Sequence, residues 1–189
     1  MVGGNSTFAY NIARWNGTNW NDLGLGIWGQ QLQSSRRKKS NEEKRSNGGN
    51  IPWFPANQVG GIVLAIAIDT KSNEIYVGGQ LSQTGTNISI SLIAKWNGSG
   101  WFSLGSPSFG FSPLINAMTF DSNGYLYAGV SSLGIFKWNG QNWNLIGNVT
   151  GGTINTISYS QYSNCLYVGG TFLINSIFSQ IVKFDLNQM

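Results

Sequence analysis

The feature that most constrains this chain is a hexapeptide that recurs three times, WNGTNW at 15–20, WNGSGW at 96–101 and WNGQNW at 138–143. Trp96 and Trp138 stand 42 residues apart, and the sequence upstream of the hexapeptide repeats with it. VLAIAIDTKSNEIYVGG (63–79), INAMTFDSNGYLYAGV (115–130) and INTISYSQYSNCLYVGG (154–170) align with one another. Each leads through a variable stretch into LIAKWNGSGWFSLG (92–105), GIFKWNGQNWNLIG (134–147) or the shorter QIVKFDLNQ (180–188). A repeat of this length is one supersecondary unit, which buries its apolar residues only by packing against the next copy.

Within a unit the pattern predicts four strands: a over 65–69, b over 74–79, c over 93–96 and d over 101–105. Between c and d, Asn-Gly fits a type I′ hairpin turn, whose two central residues both need positive φ. The a–b connections DTKSN, DSNG and SQYSN carry Asx-type turn chemistry. Charged residues make up only 10% of the chain against about 25% in typical domains. The 26 glycines and the 13% aromatic content favour short strands and tight turns over long amphipathic helices. Strands that read as nearly continuous apolar runs imply sheets covered on both faces. The expected fold is all-β, a β-propeller of four-stranded antiparallel blades, with residues 1–189 forming one domain or a fragment of one.

A Y-V-G-G strand followed by a K-W-N-G-x-x-W-x-x-L-G hairpin resembles the repeats of kelch-like and related bacterial or viral surface β-propellers. The resemblance covers nearly all of the chain except 26–60. It implies the architecture and is silent on activity, because this fold carries binding platforms and unrelated enzymes alike. Two blades are complete (61–106 and 114–148). An opening b–c–d set runs from VGG (2–4) through NIARWNGTNWNDLG (11–24), and a closing a–b–c set lacks strand d. Three readings fit this count: a four-bladed ring with two thinned blades, part of a larger propeller, or a unit completed by homo-oligomerisation through open blade edges.

Trp15 to Asp69 spans 54 residues where Trp96 to Asp121 spans 25, so about 30 residues are inserted in one d–a connection. This insertion, 26–60, is Ser/Asn-rich, without periodicity, and is expected to be partly disordered. It holds RRKKSNEEKR (36–45), whose excess of basic residues equals the whole net charge of +4. It also holds IPWFP (51–55), a stiff apolar hook or plug. In an up-and-down blade the a–b and c–d turns share one end, and the b–c and d–a connections share the other. The insertion therefore falls beside the b–c loops 80–92 and 171–179, and variable loops on a rigid scaffold are where binding concentrates. The candidate partner-binding residues are Trp28, Arg36, Arg37, Lys38, Lys39, Lys44, Arg45, Trp53 and Phe54. The basic run reads as a site for an anionic partner, as an import signal, or as a solvated loop neutralised by Glu42 and Glu43.

Elsewhere the chemistry is sparse. There is no histidine, and Cys165, the single cysteine, sits in an apolar strand as a buried thiol. Of seven carboxylates, Asp69 and Asp121 take one repeated turn position, Glu42 and Glu43 lie in the insertion, and Asp22, Glu74 and Asp185 are scattered. No pair is spaced as acid and base, so no catalytic residue, metal or cofactor is expected. Arg14, Lys95, Lys137 and Lys183 recur just before the hairpin aromatic. They read either as stems laid over rings or as a ring of cations. The hairpin tryptophans read as packing between blades or as sugar-stacking platforms. Of five glycosylation sequons, Asn5, Asn16, Asn87, Asn97 and Asn148, two coincide with the hairpin turns. No signal peptide or membrane span is expected. The expected function is a non-enzymatic module that engages a protein or glycan partner through its loop-rich face. The alternative is a structural, self-assembling virion or cell-surface component.

Overall fold

A computed structural model of the chain describes residues 12–23, 27–28, 62–81, 83–84, 92–105 and 114–188. In chain order the strands are β1 (Ala13–Trp15), β2 (Trp20–Asp22), β3 (Ile27–Trp28), β4 (Ile62–Asp69), β5 (Glu74–Gln80), β6 (Gln83–Thr84), β7 (Ile93–Trp96) and β8 (Trp101–Ser103). They continue with β9 (Ile115–Phe120), β10 (Leu126–Val130), β11 (Gly134–Trp138), β12 (Trp143–Asn148), β13 (Thr150–Ser160), β14 (Cys165–Ile174) and β15 (Ile177–Asp185), and a 3-10 turn follows at Leu186–Gln188.

The protein is all-β, and its main sheets are open antiparallel meanders. β1–β2 form the first sheet, β4-β5-β7-β8 the second, β9-β10-β11-β12 the third and β13-β14-β15 the fourth. A separate ribbon pairs β3 with β6. The second and third sheets reproduce the expected a-b-c-d order. The fourth has a, b and c, and the first has c and d; the strand b expected near 2–4 lies outside the described residues.

Alternation along each strand decides which sheet a side chain meets. In β5, Val77 packs with Ile12 and Leu23 of the first sheet region, whereas its neighbour Tyr76 packs with Ile115 and Met118 of the third. In β10, Leu126 and Ala128 face the second sheet, and Tyr127 faces Ile154 and Ile157 of the fourth. Three apolar clusters result, one at each junction between consecutive sheets. The first strands lie side by side along one edge of the stack, β4 against β9 and β9 against β13.

Two glycines set how closely the sheets approach. A Cβ built on Gly78 would stand 2.6 Å from Ile115 Cγ2, and one on Gly129 would stand 2.6 Å from Ile154 Cγ2. These are the same position of strand b meeting the same isoleucine of the next strand a. Any side chain there would push the sheets apart, which explains the glycine at that position in the second and third sheets.

The tryptophans pack as expected only in part. Each hairpin pair packs its two rings together at a tilt, with ring centroids at 5.5 Å (Trp15–Trp20), 5.4 Å (Trp96–Trp101) and 5.2 Å (Trp138–Trp143). Burial is graded by what stands in front. Trp101 is 1% exposed, wedged between the first and second sheets. Its indole N–H donates to the Leu23 carbonyl at 2.7 Å. Trp138 and Trp143 pack against the second sheet's core. Trp15 and Trp20 occupy the same repeat positions and are 51% and 65% exposed. Trp101→Ala is therefore expected to lower the unfolding free energy by about 3–5 kcal/mol, as for a large buried aromatic. Trp20→Ala should lower it by under about 1 kcal/mol. Urea denaturation of the two variants checks the contrast.

Candidate functional site

At one end of the stack the turns are built from Asn and Asp side chains. Asn97 Oδ1 accepts from the Ser99 and Gly100 backbone N–H groups at 3.0 Å each, and the Asn97 N–H donates to the Gly100 carbonyl at 3.2 Å. Asn16 and Asn139 repeat this arrangement. Only the glycine has positive φ, +101° at Gly17, +97° at Gly98 and +98° at Gly140. The expected type I′ turn is thus replaced by a four-residue loop. The Asn side chain captures the N–H groups that would otherwise go unpaired, so Asn itself stays at negative φ. In the a–b turns, Asp69 accepts from the Lys71 N–H at 2.9 Å and the Ser72 hydroxyl at 2.8 Å. Burial pushes the Asp69 carboxyl up, but these donors and the Lys71 charge together hold it below the ordinary carboxylate range. Asp121 accepts from the N–H groups of Asn123 and Tyr125.

Behind the turns runs a layer of tyrosine, carboxylate and lysine. Tyr76 pairs across the sheet with Lys95, Tyr127 with Lys137 and Tyr167 with Lys183. The Tyr76 hydroxyl donates to Glu74 at 3.1 Å, and Glu74 forms an ion pair with Lys95 at 2.9 Å. The Tyr127 hydroxyl donates to Asp121 at 3.0 Å, and Lys137 Nζ sits 3.9 Å above the Tyr125 ring. Lys95 and Lys137 are thereby committed to partners within their own sheets, while Arg14 and Lys183 are exposed. Burial, then the neighbouring carboxylate, pushes both phenols, Tyr76 and Tyr127, far above the ordinary tyrosine value. A phenol held neutral in this way acts as a fixed donor that ties a turn to the face meeting the next sheet. Sequence reasoning missed this layer. The signal was present as Tyr in strand b facing Lys in strand c, in three successive repeats.

Along the first strands lies an open cavity of about 440 Å³ lined by Ile66, Ile68, Met118, Phe120, Asp121 and Tyr159 among others. Its polar rim is Ser122, whose hydroxyl lies 3.0 Å from that of Tyr159, and the Tyr159 hydroxyl donates to Asn164 at 3.0 Å. Cys165 is fully buried, with its thiol donating to the Ser163 carbonyl at 3.0 Å.

The opposite end carries the b–c connections. Of the expected binding residues, Trp28 falls in β3, where it pairs with Gln83. Arg36, Arg37, Lys38, Lys39, Lys44, Arg45, Trp53 and Phe54 lie outside the described residues. The β3–β6 ribbon brings the start of the insertion against the b–c connection of the second sheet, as the meander topology requires. The segment 171–179, expected as a variable loop, is instead a continuous hairpin. β14 runs to Ile174 and β15 starts at Ile177, joined by Asn175 and Ser176 at φ 50° and 66°. This is the two-residue turn with both φ positive that the Asn-Gly sites do not form. β-branched flanks around a two-residue polar turn favour it. The hairpin exposes Ile177 (68%) and Phe178 (62%) at its tip.

No group of three metal-ligating side chains occurs among the described residues, and among them no helix is long and apolar enough to cross a membrane. No protein-family model, curated protein or solved structure matches the chain.

Because folding holds Tyr76 and Tyr127 protonated, their contribution to stability is complete below pH about 10 and is lost as pH rises above it. In a spectrophotometric alkaline titration these two phenols are expected to stay silent at pH about 11. They should appear only with loss of the near-ultraviolet circular dichroism. Full ionisation of all seven tyrosines in a still-folded protein would contradict the assignment.

Proposed function

We propose that the chain is a non-enzymatic β-propeller module whose sheets are the blades, and that it engages a protein or glycan partner through its loop-rich end. The side-by-side first strands β4, β9 and β13 and the repeated sheet-to-sheet junction support the propeller reading, as does the resemblance of the repeat to kelch-like propellers. The observation that carries the binding reading is the β14–β15 hairpin. It holds Ile177 and Phe178 in water at the end where β3 anchors the root of the insertion. A rigid hairpin presenting two large apolar side chains costs little conformational entropy on binding. The sequence between β3 and β4 carries a basic segment, residues 36–45, suited to an anionic patch on the partner.

A second reading, self-assembly, draws on the two outermost sheet faces. Trp15 and Trp20 are exposed on the first sheet, and Tyr167 and Ile181 on the far face of the fourth. In the interior, positions equivalent to these are covered by the neighbouring sheet. In this reading a second copy covers them.

One set of variants separates the two. Deleting 30–58, or replacing Ile177 and Phe178 by Ser, is expected to reduce capture of the partner found by glycan array or cross-linking at least about tenfold. The β-sheet circular dichroism and melting should be unchanged. Capture surviving both changes would contradict the loop-end reading. Sedimentation showing concentration-dependent association, abolished by Trp20→Arg and indifferent to the loop variants, would establish assembly instead.

A further inference from the structure

Each complete sheet seats a tryptophan of its fourth strand in a slot on the preceding sheet, and the fourth sheet borders such a slot with no strand among the described residues to fill it. Trp101 of β8 packs in one cluster with Ile12 and Leu23. Trp143 of β12 packs against the cluster that contains Ile93 and Leu104. By repeat position the third sheet's counterparts of these two walls are Ile135 and Ile146. They line an apolar cavity of about 330 Å³ whose opposite wall is Val168, Phe172, Val182 and Phe184 of the fourth sheet. An apolar cavity of roughly 150 Å³ suffices to take a benzene ring.

The edge beside this cavity is free among the described residues. β15 pairs with β14 alone. The chain leaves β15 away from that edge, because the Leu186 N–H donates to the Asn164 carbonyl at the β13–β14 turn. Phe184 stands where Trp138 stands in the third sheet, and Trp138 packs at a tilt against the fourth-strand Trp143, with ring centroids 5.2 Å apart. A tryptophan entering the cavity from a strand added to β15 would meet Phe184 in the same way. The slot also continues the cluster that joins the third and fourth sheets, which contains Ile135, Val168 and Phe172.

We propose that this slot is a peptide-binding site that takes an extended segment of a partner protein, of the form Trp-x-x-(Leu or Ile)-Gly. The segment adds to the free edge of β15 and seats its tryptophan between the third and fourth sheets. Main-chain pairing along the edge supplies affinity, and the indole slot supplies selectivity. A preformed apolar slot with one wall on each of two sheets rejects a charged or truncated side chain at that position. The slot's lining shares neither the insertion nor Ile177 and Phe178 with the loop-end reading, although β15 itself begins at that hairpin tip.

The probe is a fluorescein-labelled peptide of the chain's own fourth strand, GQNWNLIGN (140–148), titrated against the whole protein by anisotropy. A second peptide carries Ala for Trp. The Trp peptide is expected to bind at least tenfold more tightly than the Ala peptide. It should also slow amide exchange within Ile177–Asp185, both in the full chain and in the variant lacking 30–58. Absence of binding, equal binding of the two peptides, or protection appearing elsewhere would overturn the proposal. Protection of β15 that rises with protein concentration without peptide would overturn it in favour of a second copy.

Discussion

The contact on which the structure depends is the seating of an isoleucine of one sheet's first strand over a glycine of the preceding sheet's second strand. Ile115 sits over Gly78 and Ile154 over Gly129. At 2.6 Å from a notional Cβ there is room for neither a methyl group nor a slipped register. The sheets can approach only where the glycine stands, and that fixes which residues on either side meet. Tyrosine two positions before the glycine then lies against the next sheet, valine or alanine beside it faces the previous one, and three separate cores form in series. Dispersion and apolar burial act across each junction at native packing density, which is why glycine stands at this position in the second and third sheets.

A stack built in this way is stable in its middle and unsatisfied at its ends. β10 is buried along its whole length because sheets cover both of its faces. Trp15 and Trp20 repeat the chemistry of Trp96 and Trp101 with nothing in front of them among the described residues, and their exposure follows from position and not from composition. Ile66 and Ile68, on the outer face of β4, are exposed where Met118 is buried in the next repeat. The same logic leaves the slot beside Phe184 uncovered among the described residues. Exposed apolar surface thus arises where the repeat stops covering itself, and the side chains there are the packing residues of the interior.

Much of this was legible in the sequence. The 42-residue spacing, the Tyr-x-Gly strand and the Asx turns mark the strand order of two full sheets and the missing fourth strand after Phe184, because each strand ends at a residue whose side chain closes a turn. The Asn-Gly turn type was not legible: Asn can either adopt positive φ itself or bond the following N–H groups, and only the structure shows the second. The β14–β15 hairpin was hidden because Leu-Ile-Asn-Ser-Ile-Phe has no counterpart in the other repeats, so repeat alignment reads it as a variable loop. The Asp121–Tyr127 and Glu74–Tyr76 hydrogen bonds differ in sequence spacing while serving one layer, which defeats a fixed motif. Of the expected binding residues only Trp28 was placed, in a two-residue strand too short to carry a periodic signal.

Native-state amide exchange read strand by strand is the most direct measurement, since local opening tracks how many faces of a strand are covered. If stability comes from serial junctions between sheets, β9 and β10 exchange slowest, β5 and β14 next, and β1 and β2 fastest. Equal protection of the first and third sheets, or a single cooperative opening shared by all strands, would contradict the account.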